Sequence, residues 1–202
     1  MKDNTIEFYV NNFVFLKSVE DADVSFLPPL IRRRLSKLDK CVLYVLKHTY
    51  NDNIQYIVFS SQYGEVERLI KLISQYQEEK EVSPNVFSGS VHNYPVGFFL
   101  LNEKNPISYT AISSGENSVS SGLLTSVISN FDNILYCYAD VKDDAAMAFA
   151  INISKNSTSS AQKFQLKQYN TNNSDNFEDY INLFENTKSL IDTPLFRLEK
   201  LQ

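Results

Sequence analysis

Apolar residues along this chain follow two rhythms. Short runs rich in β-branched and aromatic residues predict strands at Ile6 to Phe15, Ile54 to Ser60, Ile107 to Ser113, Ile134 to Ala139, Ala146 to Ile153 and Phe164 to Tyr169. The first of these carries a turn signal at Asn11-Asn12, and the fourth, ILYCYA, is apolar enough for a central strand covered on both faces. Between them the period lengthens to three and four. Ile31, Leu35, Leu38, Val42 and Leu46 form one stripe after Pro28-Pro29, so the spacing predicts a single helix there. Val66, Leu69, Ile70 and Ile73 predict a second helix over Glu65 to Gln77 with those residues on its inner side. Further helices are expected from Asn93-Tyr94-Pro95, from about Glu116 to Ile128 after Gly115, and over Phe177 to Ile191. Glu78 to Ser90, a Ser/Asn-rich stretch before Phe164, and Asn170 to Asp175 read as polar loops, the Ser/Asn-rich one mobile. Strands alternating with helices predict an α/β layered domain.

Composition narrows the class. A chain of 202 residues favours one domain and is long enough to bury a core without disulfides or metals. The net charge of −5 argues against a nucleic-acid binder, which needs a concentrated basic surface. The first fifteen residues mix charged and apolar side chains with no basic-then-apolar signal layout. No apolar run approaches the roughly 18–20 residues that span a bilayer, so a cytoplasmic protein is expected. Cys41 and Cys137 each sit in an apolar segment and read as small buried hydrophobes with no disulfide between them.

The search for chemistry yields little. His48 and His92 are too few for an imidazole metal cluster, and the two cysteines lack zinc-site spacing, so neither metal nor cofactor is expected. No glycine-rich phosphate loop is present. Ser88-Gly89-Ser90-Val91-His92 approaches a serine-hydrolase elbow but lacks the second glycine and follows no strand, so it reads as a structural loop. His48 closes the first predicted helix, a favourable place for histidine without any function.

The order of segments nevertheless resembles a known family. The run from Ser83-Pro84-Asn85-Val86-Phe87 through Asn93-Tyr94-Pro95-Val96-Gly97 is similar to the β-ketoacyl-synthase-like amino-terminal domains found with fatty-acid, polyketide and aryl-polyene clusters. Asn93 and Gly97 resemble the Asn-x-x-x-Gly turn that ketosynthases place near their dimer interface. Arg32 to Asp39 resembles those enzymes' basic helix, Ile134 to Asp140 a buried strand of their first half, and Asp144 to Ala148 the entry to that half's last central strand, with alanines for glycines. The resemblance is strongest over residues 5–155, leaving 156–202 as a divergent extension of one domain spanning 1–202. It implies half of a thiolase-like fold: one mixed β-sheet with helices on both faces.

The resemblance also carries functional expectations. A working ketosynthase places its nucleophilic cysteine at the start of the helix after the ISYTAIS-like strand, where a helix amino terminus favours thiolate. Here Ala111 to Ser118 holds no cysteine, and Glu116 falls at or near the position. Glu116 is then either an ordinary acidic residue at a helix start or a stand-in for the nucleophile, as in chain-length-factor subunits that carry glutamine there. The family's catalytic histidines lie in a second half beyond this chain's length, and His92 is expected to make only a structural hydrogen bond. The expected function is thus a non-catalytic, chain-length-factor-like accessory with no catalytic residues of its own. Its partners would be a ketosynthase subunit and an acyl carrier protein, or a second copy in a homodimer. Asn93, Gly97, Ile107, Tyr109 and Ala111 are the expected subunit interface. Arg32, Arg33, Arg34 and Lys37 are either a solvated helix face or the docking surface for the acidic carrier protein. The rival readings are a small α/β enzyme centred on a perturbed Glu116 or His92, and a dimeric binding module outside acyl transfer.

Overall fold

The computed structural model of the protein describes residues 5–158, 160–169 and 173–201. Eight strands form one sheet in the order β3-β2-β4-β5-β1-β6-β8-β7. The strands are β1 (Thr5–Ser18), β2 (Tyr56–Ser60), β3 (Ser108–Ile112), β4 (Asn133–Lys142), β5 (Ala145–Ser154), β6 (Gln162–Gln168), β7 (Leu190–Asp192) and β8 (Phe196–Lys200). β2 runs parallel to both β3 and β4, and the remaining pairings are antiparallel, so the sheet is mixed. The helices are α1 (Pro29–Arg32), α2 (Lys37–Thr49), α3 (Val66–Glu79), α4 (Pro84–Ser88), α5 (Tyr94–Glu103), α6 (Ser118–Ile128) and α7 (Phe177–Phe184).

Two buried cores lie on opposite faces of this sheet. α2 and α5 cover one face and α6 and α7 the other. β5 shows the strand alternation that separates them: Ala146, Ala148 and Ala150 meet α2, while Phe149, Ile151 and Ile153 meet α6 and α7. Small side chains on one face let α2 approach closely, and large ones fill the other. Gly122 does the same for α6, since a Cβ there would fall 2.5 Å from the Tyr136 ring and 2.6 Å from Ser60 Oγ.

Several expectations from the sequence are corrected. The turn at Asn11-Asn12 is a register shift between Val10 and Asn12 inside one continuous β1, because β5 pairs with the chain on both sides of it and holds it extended. The single helix after Pro28-Pro29 is two pieces. Ser36 caps α2, accepting from Asp39 N at 2.9 Å while the Asp39 carboxylate accepts from Ser36 N, and this box starts a new helix. The loop expected over Glu78 to Ser90 contains α4. The predicted final helix ends at Phe184, where Asn186 turns into the left-handed region at φ 68°, and the chain returns to the sheet as β7 and β8. Residues beyond 155 therefore extend the same sheet. Part of the expected linker at 170–175, residue 159 of the Ser/Asn-rich loop, and residues 1–4 lie outside the described residues. Among the described residues, no helix is long and apolar enough to cross a membrane.

Candidate functional site: an open sheet edge beside an apolar groove

β3 is the end strand of the sheet and bonds only to β2 among the described residues. Ile112 O accepts from Ser61 N at 3.1 Å, which turns the backbone groups of Ile112 toward the β2 side. Alternation along the strand then aims those of Tyr109 and Ala111 outward, away from the sheet. Such a row of unpaired donors and acceptors is a template for another chain.

Beside this edge, α5 and the segment leading to β3 enclose a groove of about 830 Å3. Asn93, Gly97, Phe98, Leu101, Ile107 and Tyr109 contribute to its lining. Leu101 in this lining is 79% exposed. Asn93 Nδ2 donates to Tyr109 Oη at 3.2 Å, and that hydroxyl packs close to the backbone at Gly97, where a Cβ would lie 3.0 Å from it. The expected Asn93–Gly97 turn is thus the cap and first turn of α5, because Pro95 seats readily in a helix start. Four of the five residues singled out from the sequence, Asn93, Gly97, Ile107 and Tyr109, meet in this groove, and Ala111 follows on the same edge.

The strand-to-helix junction after β3 is polar. Glu116 sits exposed in a 3-10 turn, Gly115–Asn117, just before α6, rather than in its first α-helical turn. Gly115 has φ 57°, and Ser118 closes the turn by donating from Oγ to Gly115 O at 2.7 Å and accepting from Ser114 N at 3.0 Å. Sequence reasoning passed over Ser118, although a serine at a helix start is a recognisable capping signal. Both thiols lie elsewhere: Cys41 in α2 and Cys137 in β4 are buried. Burial pushes the Cys41 thiol up to about 12 and raises that of Cys137 further, so neither forms thiolate near neutral pH.

The four basic residues do not share one helix face, because α1 and α2 are separate. Arg33 and Arg34 are exposed, whereas Arg32 is half-buried with its Nε without a partner. Lys37 is engaged, pairing with Asp144 at 2.9 Å and donating to Asp143 O at 2.8 Å, and the Asp144 carboxylate raises its pKa.

Two buried carboxylate networks brace the region. Asp140 at the end of β4 accepts from Ser61 Oγ at 2.7 Å, Tyr138 Oη at 2.7 Å, Gln62 N at 2.8 Å and Tyr63 N at 3.0 Å, which fixes the turn after β2. That turn positions Gly64, which is in the left-handed region and lies against His92. His92 bonds through Nε2 to Ile112 O at 3.0 Å, the structural role expected of it. In the second network, Arg68 donates to Asp39 at 2.8 Å, Gly89 O at 2.8 Å and Arg34 O at 2.8 Å. Glu65 lies in the same pocket and accepts from Ser36 Oγ. Burial, reinforced by the Asp39 charge, pushes the Glu65 carboxyl up to about 7, and burial also raises Asp39. A proton on Glu65 supplies the donor that Asp39 Oδ1 otherwise lacks.

The family model for the β-ketoacyl synthase, N-terminal domain, matches residues 10–191. No curated protein matches the sequence. A chain from a ketosynthase in complex with its chain length factor, from Xenorhabdus doucetiae, superposes with a TM-score of 0.73 at 16% identity, covering 98% of this chain and 100% of that one. A chain of the ishigamide ketosynthase/chain length factor overlaps 60% of this chain and 43% of its own length, with a TM-score of 0.44 and 12% identity. A chain from a type II polyketide acyl-carrier protein in complex with its hexaketide-bound ketosynthase overlaps 74% and 62%, with a TM-score of 0.49 and 10% identity. The first of these likenesses shows the fold, a mixed sheet with helices on both faces forming half of a thiolase-like architecture. With nine-tenths of its length inside the family match, the chain belongs to the β-ketoacyl synthase N-terminal domain family.

Proposed function

We propose that this chain is a chain-length-factor-like accessory subunit that performs no condensation itself and pairs with a catalytic ketosynthase in building fatty-acid, polyketide or aryl-polyene chains. One observation carries the reading: the junction where a ketosynthase holds its nucleophile runs from Ile112 to Ser118 without a thiol, while the adjoining sheet edge is open and flanked by an apolar groove. A thiolate-dependent reaction has no group to start from there, since both cysteines are buried with raised pKa values. An open edge beside exposed apolar side chains suits a subunit contact, with Asn93, Gly97, Ile107, Tyr109 and Ala111 at its centre. Glu116 takes the degenerate nucleophile position in this reading, and the whole of residues 1–202 acts as one domain. Arg33 and Arg34 receive an acidic acyl carrier protein, and Arg32 and Lys37 serve the local fold. In this reading the pair works in the cytoplasm, and homodimers form only when the ketosynthase is absent.

The test uses the chain purified alone and together with the ketosynthase that accompanies it in its native cells. With acyl and malonyl carrier-protein substrates, the isolated chain releases no carbon dioxide above background, and the complex does. Turnover by the pure chain, or a failure of the two proteins to associate, overturns the reading.

A further inference from the structure

Helices α3 and α4 are held to the domain by a polar cluster, with little apolar burial to help. The stripe Val66, Leu69, Ile70 and Ile73, expected from the sequence on the inner side of α3, faces water instead, with Ile70 at 58% exposure. Leu72 is the one buried residue of α3, and it belongs to neither core. α4 buries no residue at all. The two helices share Arg68, which donates to Asp39 on α2, to Gly89 O at the end of α4 and to Arg34 O. Turning the stripe inward would abandon those partners and leave the Asp39 carboxylate buried and unpaired.

That cluster does not balance its own charge. Asp39 is 0% and Glu65 5% exposed, and both draw on Arg68, which lies 2.8 Å from Asp39 Oδ2 and 3.5 Å from Glu65 Oε2. Among the described residues, no other cation pairs with either carboxyl. With both ionised, one net negative charge is buried, and a single proton on the pair cancels it. The hydrogen bonds leave that proton a place. Glu65 Oε1 accepts from Ser36 Oγ, and Asp39 Oδ2 accepts from Ser36 N and Arg68. Asp39 Oδ1 is buried with no other donor among the described residues, and a protonated Glu65 supplies one. The other groups facing the cluster do not replace this proton. Lys37 of α2 is paired with Asp144, and Arg34, Glu67 and Lys71 are exposed. Burial and the Asp39 charge raise the Tyr94 phenol of α5, which stays neutral. His92 lies against Gly64 with Nε2 bonded to Ile112 O.

We infer that Glu65 and Asp39 form a shared-proton latch for α3 and α4: with the proton in place the two helices are fixed to α2, and with it lost they open together while both cores stay closed. The latch belongs to this chain alone and does not depend on the ketosynthase pairing. Ser88 of α4 lines the groove beside β3, so opening removes part of one wall of that groove. Burial, reinforced by the Asp39 charge, raises the Glu65 carboxyl from 4.5 to about 7 in the closed form, and exposure in the open form returns it toward 4.5. The closed form thus holds a proton that the open form releases. Closure is firmest below about pH 4.5, weakens as pH rises, and has lost this contribution above about 7.

The experiment follows amide hydrogen exchange by NMR in three full-length proteins, wild type, Glu65→Gln and His92→Gln, from about pH 5.5 to about pH 8.5. Each exchange rate divided by the intrinsic rate at that pH gives an opening constant. In wild type, the amides of α3 and α4 should share one opening constant, larger than that of β4 and β5. It should rise at least about tenfold between about pH 5.5 and 7.5 and then level off. His92→Gln should keep this profile, and Glu65→Gln should flatten it. A wild-type profile independent of pH overturns the inference, as does the same rise in Glu65→Gln or its loss in His92→Gln. Opening constants for α3 equal to those of β4 and β5 also overturn it, since the helices then leave only when the whole domain unfolds. The carboxyl carbon resonance of Glu65 in wild type decides without any variant: a midpoint near 7 supports the latch, and one near 4.5 overturns it.

Discussion

Arg68 donates to the buried carboxylate of Asp39 at 2.8 Å, and this contact across 29 residues of sequence decides which side of helix α3 meets the domain. The same guanidinium reaches Gly89 O beyond α4 and Arg34 O between α1 and α2, so one side chain ties α3 to three other parts of the chain.

Arg68→Ala should therefore destabilise the protein by about 3 kcal/mol, because it leaves the Asp39 carboxylate buried without its cation. Equilibrium urea unfolding of the variant and wild type measures the difference. A loss below about 1 kcal/mol would mean that α3 is held by something other than this ion pair.

The Glu65 carboxyl makes stability depend on pH in a direction set by its environment. Its folded-state pKa is raised from the ordinary 4.5 to about 7, so between those values the native state holds a proton that the unfolded state has released. Stability from this group is full below about pH 4.5 and is lost as pH rises through about 7. Glu65→Gln keeps a neutral side chain in the pocket and should flatten the dependence. The difference between the urea midpoints of Glu65→Gln and wild type should widen from acid to neutral pH. A difference independent of pH would show that Glu65 titrates normally.

The open edge gives a clean way to separate folding from pairing. The N–H of Ala111 points away from β2, so Ala111→Pro removes a donor that no strand uses among the described residues. Its unfolding midpoint should stay close to wild type while affinity for the ketosynthase falls at least about tenfold. Thr110→Pro, one residue earlier on the β2 side, should instead cost stability. Calorimetric titration together with urea unfolding distinguishes the two outcomes.

Binding of an acyl carrier protein should rest on the exposed pair Arg33 and Arg34. Reversing both to Glu should weaken binding several-fold at low salt, with the difference shrinking as screening shortens to about 8 Å at physiological ionic strength. Lys37→Glu should behave differently, because Lys37 is already paired with Asp144 and its loss perturbs the fold locally. Equal carrier-protein affinity for wild type and the double reversal would return Arg33 and Arg34 to a solvated surface.

The strands were the most legible part of the chain, for a local reason. ILYCYA in β4 and the alternating Ala and large apolar residues of β5 state burial directly, because a strand's two faces are written at successive positions. The junction of α1 and α2 was also written locally, in the Ser36-x-x-Asp39 cap, but the continuous apolar stripe across it masked the break. β7 and β8 were hidden the same way: Phe177 to Ile191 is periodic enough for a helix, yet Ile191, Phe196 and Leu198 find more burial as strands beside β6. Of the site, Asn93, Gly97, Ile107 and Tyr109 were recognised from the family pattern, and their meeting in one groove required the crossover that carries α5 back to the sheet edge.

By itself, the sequence determined the alternation of strands and helices, the buried cysteines and the thiol-free junction after β3, since each depends on residue types within a few positions. Only the tertiary structure decided the orientation of α3. Periodicity shows that a helix has an apolar side but not which side a domain will cover, and here the choice belongs to Asp39, buried on another helix, whose charge is satisfied by turning the arginine inward and the isoleucines out.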